Sequence, residues 1–262
     1  MNIGTNIGSS TRTQIFVRGH DLVEDLIGRR GFVEVAFLQM MGRFPTAEEA
    51  NVLNALLVTI ADHGLTPSVM AARLTHYGSP DALQSAVAAG LLGAGNTILG
   101  AMQNVAELLK QEVAARALGE QSDLDAAAAC IVDTIMSKGG RVPGVGHPIH
   151  LDGDPRVQRL FEVARTNGCY GIHCRLADGL AQAASKRAGR EFPLNAAAAI
   201  GAIIVDMGLP PLLARGLALI ARAAGLVAHV LEEQQHPIAR DLWVMADPSV
   251  VPSTRASHSR EP

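Results

Sequence analysis

An all-α fold follows from three observations: helix start and stop signals recur along the chain, alternating β-branched runs are nearly absent, and 48% of the 262 residues are hydrophobic against 18% charged. That balance supports a large buried core and lies far from the disordered class. The one strand-like run is TQIFVR, Thr13 to Arg18. Thr46 with Glu49 makes a T-x-x-E capping box after Pro45, predicting a helix through LNALLVTIADH that stops at Gly64 and leaves His63 at its C-terminus. Ser79-Pro80 predicts the start of another helix, and Ser122 with Asp125 predicts one that ends at Lys138-Gly139-Gly140. Asp154-Pro155 opens a further helix to about Arg165, closed by Asn167-Gly168, so that RVPGVGHPIHLDG (141–153) is a loop between two helices. Farther on, Leu213, Leu217, Ile220, Leu226 or Val227, and Val230 fall at helical spacing, while Arg215, Arg222 and His229 share another stripe whose simplest reading is a solvated face. The Ala/Gly-rich stretches 82–102 and 194–202 predict close helix packing around small side chains.

Composition narrows the function classes. With 22 basic and 25 acidic residues the net charge is −3, and no Lys/Arg-rich run occurs, so nucleic acid is not an expected partner. Cys130, Cys169 and Cys174 have no CxxC or Cys/His ligand spacing, which argues against a disulfide framework and a zinc site and fits a reducing cytosol. The opening MNIGTNIGSSTRTQ lacks the pattern of a signal peptide, so a cytoplasmic location is expected. The apolar stretch Phe192 to Ala214 is interrupted by Asn195, Asp206, Gly208 and Pro210-Pro211, and reads as buried core helices rather than a membrane span. Residues 1–11 read as a flexible N-terminus and 247–262 as a Pro/Ser-rich flexible tail.

Several familiar motifs fail on context. GAGNTILG (Gly93 to Gly100) and GVGH (Gly144 to His147) follow helices, not strands, so the dinucleotide fingerprint does not apply. Neither a G-K-[ST] P-loop nor a G-x-S-x-G elbow is present. The loop PGVGHPIHLDGDPR is more informative. Gly144 and Gly146 let backbone approach a ligand, and His147 is held between Gly146 and Pro148. Nine residues on, Arg156 sits in the first turn of a helix, where free N–H groups and the dipole favour an anion such as a carboxylate. The competing reading makes His147 an ordinary loop histidine and Arg156 the partner of Asp152 or Asp154. His63 at a helix end would favour its protonated, anion-binding form, with a structural role as the alternative. Arg240, in HPIARDLW, is either an anion contact or a surface cation beside Asp241.

In their order along the chain these segments resemble the citrate synthase superfamily, and most of all its short citryl-CoA lyase branch. They are FVRGHDLVEDLIGRRGFVEVAFLQMMGRFPT (16–46), ADHG (61–64), VPGVGHPIHLDGDPR (142–156), PLNAAAAIGAIIVDMGLP (193–210) and GLVAHVLEE with HPIARDLW (225–243). The resemblance covers about 12–246 and is most specific at the G-H loop running into D-P-R, where the nine-residue interval from His147 to Arg156 is kept. It implies a homodimer of mostly helical subunits, each with a large domain and a small subdomain, here roughly 150–212. The implied chemistry makes or breaks a carbon–carbon bond between an acyl-CoA and a 2-oxo dicarboxylate, most plausibly citryl-CoA to acetyl-CoA and oxaloacetate. The coenzyme A thioester is substrate, no metal is needed, and no membrane is involved. His147 would hydrogen-bond the reacting oxygen, His63 and Arg156 would grip carboxylates, Arg240 would be a looser carboxylate contact, and Pro143, Gly144, Val145 and Gly146 would cradle the adenine. Two positions depart from the family. Its enol-polarising histidine falls on about Ile98, and its acid/base aspartate falls on Ala197. These departures keep open a non-catalytic paralogue that binds CoA or a dicarboxylate, and an enzyme of altered specificity.

Overall fold

The structure, a computed structural model, describes residues 4–147, 149–247 and 249–250, with Thr97 and Ile98 described through their backbone alone. The tail beyond residue 250 and the Ile98 side chain lie outside the described residues. Eleven α-helices, two short π-helical turns (Leu22–Leu26 and Gly95–Leu99) and one small sheet make up the regular structure among the described residues, so the all-α reading holds.

The sheet is antiparallel, in the order β1 (Gly8–Ser10), β2 (Ile15–Val17) and β3 (His20–Asp21). β2 falls within the TQIFVR run. Residues 8–10, expected in a flexible N-terminus, are instead ordered by β2: Gly8 faces Val17 and Ser10 faces Ile15 in the ladder.

α1 (Phe32–Met41) ends on Gly42 at φ +75°, a left-handed cap that a Cβ would strain. α2 (Ala47–Ile60) opens on the expected box, with the Glu49 N–H donating to Thr46 Oγ1 (3.2 Å) and the Thr46 N–H to Glu49 Oε2 (2.8 Å). It stops at Ile60, so His63 lies in the exposed turn beyond rather than on the helix end. An Asx-type turn replaces the helix there: Asp62 Oδ2 accepts the Gly64 N–H at 3.0 Å, and Gly64 takes φ +70°. Helix-dipole stabilisation falls off within the last turn, so it carries little for His63.

α3 (Pro67–Gly78) has Thr66 as N-cap and Pro67 in its first turn. Ser79 caps the end of α3 through its N–H and does not open the next helix, because α4 (Leu83–Leu92) begins three residues after Pro80. α5 (Gly100–Ala115) precedes α6 (Leu124–Met136), whose N-cap is Asp123 rather than Ser122; its side chain accepts the Ala126 N–H at 3.0 Å. α7 (Pro155–Thr166) starts from Asp154-Pro155 as expected and is followed by α8 (Ile172–Ala188) and α9 (Ala196–Asp206). α10 (Pro211–Gln235) and α11 (Ala239–Ala246) complete the chain.

The chain divides into two compact units. The first takes the described residues of Met1–Thr59 with Ala101–Arg215; the second takes Ile60–Gly100 and those of Gly216–Pro262. In the first unit, which contains all of 150–212, α8 packs on α6 as well as on α9. In the first unit α9 is apolar on all sides and nearly wholly buried. Gly201 lets it meet α5, since a Cβ there would lie 2.6 Å from the Met102 carbonyl oxygen. In the second unit Val69, Ala72 and Ala86 from α3 and α4 close on Leu226 and Val230 of α10.

α10 is, among the described residues, the one helix long and apolar enough to cross a membrane by length and composition. Its inward stripe of Leu213, Leu217, Leu226 and Val230 is buried within the protein. The polar stripe departs from expectation: Arg222 is only 5% exposed, so that face is not simply solvated.

Candidate functional site

The loop 143–147 runs antiparallel to the segment before α9. Gly146 N–H donates to the Pro193 carbonyl (2.7 Å), Asn195 N–H donates to the Gly144 carbonyl (3.0 Å), and Val145 bridges Leu194. Gly144 sits at φ +79° with its α-carbon facing inward, and a Cβ there would come within 2.5 Å of Ala198 Cβ and 2.8 Å of Val105 Cγ2. Gly146, at φ +89°, makes the second left-handed turn before His147. Asn195 does two jobs: Oδ1 caps α9 by accepting the Ala198 N–H (3.2 Å), and Nδ2 donates to the Gly146 carbonyl (2.8 Å). The peptide preceding His147 is thereby tied to the start of α9.

The His147 ring is held by main chain. Its Nδ1 accepts the N–H groups of Ile149 (3.1 Å) and His150 (3.0 Å), which leaves the proton of the neutral ring on Nε2. That Nε2 lies 3.5 Å from Arg156 Nη2. Both atoms are then donors, and two donors at that spacing suit one shared oxygen acceptor better than each other.

Arg156 is fixed by Asp154, the N-cap of α7. Asp154 Oδ1 accepts Arg156 Nε (2.8 Å) and Oδ2 accepts Nη2 (2.8 Å), while the remaining lone pairs take the N–H groups of Arg156 (3.1 Å) and Ala196 (2.9 Å). The Asp154 side chain is fully buried. Burial raises its pKa, but the Arg156 guanidinium and the two backbone N–H groups outweigh this and bring it down to about 2. Asp154 is therefore a carboxylate down to about pH 2, linking α7 to α9, and Arg156 pairs with it through Nε and Nη2.

Val145, Gly146 and His147 line a cavity of about 520 Å³, together with Arg141, Arg190 and Phe192. Arg190 stacks over the Phe192 ring at 4.5 Å. Pro143 and Gly144 form the turn and do not line the cavity. Two guanidinium groups beside an aromatic ring suit a ligand that carries phosphate and a flat base.

No carboxylate occupies the first turn of α9 where the resemblance calls for one. Ala197, half-buried, is the second residue of the helix, between Ala196 and Ala198. Asp206 closes α9 nine residues later, about 13 Å along the axis. It is consumed in capping α8, accepting the N–H groups of Gly171 (2.7 Å), His173 (3.0 Å) and Cys174 (2.9 Å) and the His173 ring (2.8 Å). Asp206 does not replace the missing acid.

The second unit holds His63 in its exposed turn and Arg240, whose Nη1 donates to the Tyr77 hydroxyl at 3.3 Å. It also holds Arg222, which the sequence pattern places on a solvated face and the structure buries. Arg222 Nε is buried with no hydrogen-bond partner among the described residues. Burial lowers its pKa, with Asp62 acting the other way. A buried cation with an unsatisfied donor is suited to receive an anion. The available signal was an arginine set among Ala221, Ala223, Ala224 and Gly225, where the small neighbours mark a packed rather than a solvated face.

Fold and site together define a helical protein in which an imidazole and a guanidinium are held side by side, one on a Gly-rich loop and one in the first turn of α7. Residues 29–241 match the model of the citrate synthase C-terminal domain, and the chain belongs to that family. The citrate synthase of Haloferax volcanii is 31% identical over 204 residues, covering 76% of this chain and 51% of that protein; that of Saccharolobus solfataricus is 25% identical, covering 80% and 55%. The chain spans about half the length of these curated relatives. Among solved structures, citryl-CoA lyase from Hydrogenobacter thermophilus superposes with TM-score 0.82 at 32% identity, over 99% of this chain and 97% of that one. ATP citrate lyase from Methanosaeta concilii, an aspartate-to-alanine mutant in complex with (3S)-citryl-CoA, superposes with TM-score 0.76 at 22% identity over 97% of this chain and 42% of that one, a likeness of fold.

Proposed function

We propose that the protein is a citryl-CoA lyase-type enzyme that cleaves citryl-CoA to acetyl-CoA and oxaloacetate or runs the related condensation. We further propose that it works as a cytoplasmic homodimer, as the family resemblance implies. The observation that carries this reading is the His147–Arg156 pair, whose donors stand 3.5 Å apart, His147 on a loop tied to α9 and Arg156 in the first turn of α7. Oxygen stabilisation of this kind is commonly the largest single contribution to catalysis. His147, with its proton on Nε2, donates to the oxygen that changes between hydroxyl and ketone as the carbon–carbon bond breaks or forms. Arg156 neutralises an adjacent carboxylate. The cavity lined by Arg141, Arg190 and Phe192 suits the nucleotide end of a coenzyme A thioester. The resemblance adds His63 and Arg240 as carboxylate contacts and Pro143 to Gly146 as the adenine cradle.

A specific observation supports a second reading, a binding paralogue without turnover. After its Asn195 cap α9 begins Ala-Ala-Ala-Ala, and the acids at 154 and 206 are both committed to structural bonds. A positioned proton-transfer group contributes roughly 10² to 10⁴-fold, about 3 to 5 kcal/mol of barrier. The experiment that separates the readings measures citryl-CoA cleavage, and condensation from acetyl-CoA plus oxaloacetate, in wild type, His147→Ala and Ala197→Asp. Catalysis predicts a loss of about 10² to 10³ in His147→Ala and a gain of about tenfold or more in Ala197→Asp. Ligand-dependent melting shifts with no turnover in either direction would establish the binding paralogue instead.

A further inference from the structure

The second unit contains a chain of side chains that ends on the ADHG turn. His229, on α10, donates from Nε2 to Asp62 Oδ1 at 2.7 Å and accepts at Nδ1 from Arg73 Nη2 at 3.1 Å. Because a guanidinium can only donate, Arg73 holds the imidazole in the tautomer that donates to Asp62. Arg73 is itself 2% exposed and pinned by Glu233 (2.8 Å) and Glu232. Glu233 Oε1 in turn takes the N–H groups of Ile238 (2.9 Å) and Ala239 (2.8 Å) at the start of α11. The far end of the chain is therefore anchored in the core and on a helix terminus.

At the near end, Asp62 accepts the Gly64 N–H at 3.0 Å. A second contact presses the same turn: a Cβ at Gly225 would lie 2.0 Å from the Ala61 carbonyl oxygen, so α10 backbone meets the turn directly. Gly225 and His229 are four residues apart, on one face of α10. His63 lies between the two residues so gripped. We propose that His229 is a positioning residue which, oriented by Arg73, clamps the Asp62 carboxylate and so sets the backbone from which His63 presents its ring. The role assigned to the His63 ring rests on the proposed function; the clamp itself does not.

The test uses the full chain with His229→Ala, His229→Gln, Asp62→Asn and His63→Ala. Amide exchange is read at Gly64 against α9 amides as internal reference, and citryl-CoA is the ligand for KM or, without turnover, for a calorimetric Kd. The loss of one hydrogen bond to a charged acceptor predicts that Gly64 exchanges about tenfold faster or more in His229→Ala and Asp62→Asn, with α9 unchanged. His229→Gln, which keeps a donor toward Asp62, restores most of that protection. The citryl-CoA constant rises about tenfold in His229→Ala, and that rise vanishes in the His63→Ala background, the non-additivity expected of a residue acting through another. If His229→Ala does not fold, the Asp62→Asn and His229→Gln arms decide. Gly64 exchange that is unchanged, or that rises only together with α9, overturns the clamp. Additive constants in the double variant overturn its action through His63. Protein that neither turns over nor binds citryl-CoA removes the proposed function alone, and the exchange result still decides the clamp.

Discussion

The G-H loop of the first unit and the ADHG turn of the second each present a histidine, but they hold it by different means. His147 is fixed by main chain: two left-handed glycines, a two-strand pairing with 193–195, and two N–H groups on Nδ1. The turn that carries His63 is gripped by a relay of side-chain hydrogen bonds that runs back to a buried, ion-paired arginine. A main-chain mount depends on the backbone angles its residues can adopt. A side-chain mount depends on every charge in it staying paired, because an uncompensated charge in the interior is expensive.

The largest expected effect strikes the side-chain mount. Arg73→Ala leaves Glu233 buried without its cation and should cost about 3 to 5 kcal/mol by urea unfolding. A cost below about 1 kcal/mol would mean that the network is not a mount at all. Next comes the main-chain mount. Gly144→Ala places a Cβ at φ +79° against Ala198. Left-handed strain of about 1 to 2 kcal/mol and overpacking of about 1 to 3 kcal/mol add to about 2 to 5 kcal/mol. Equal stability of the variant would show that the loop does not need its left-handed turn.

The smallest effect sharpens the comparison, because Asp154 is the one acid on which the first unit's site depends. Its pKa falls from 3.8 to about 2 on folding. A depressed carboxylate contributes stability that is present above the unfolded value and is lost as pH falls through the folded one. Roughly 2 kcal/mol should therefore disappear between about pH 4 and pH 2. Unfolding free energies measured across that range should show this slope in wild type and lose it in Asp154→Asn. An unchanged slope in the variant would place the acid sensitivity elsewhere.

Much of this was legible along the chain, because local chemistry writes itself into short spacings. The Thr46–Glu49 box, the Asp154-Pro155 start and the nine-residue interval from His147 to Arg156 each involve residues close in sequence. Two kinds of expectation failed for reasons that local pattern does not carry. Ser79 and Ser122 are good caps by type, but a neighbouring residue or helix end claimed the position. The supposed solvated stripe failed because periodicity says which residues share a helix face, not what that face meets.

By itself, the sequence determined the helical class, the loop that carries His147 and the helix start that carries Arg156, the family, and the absence of an acid at Ala197. Only the tertiary structure decided the division into units, the burial of Arg222, the commitment of Asp206 to α8, and the partnership of Asp62, His229 and Arg73. The physical reason is separation along the chain: His229 meets Asp62 across 167 residues and Arg73 across 156. No local pattern encodes such a meeting; it exists once α3 and α10 have packed around a shared core.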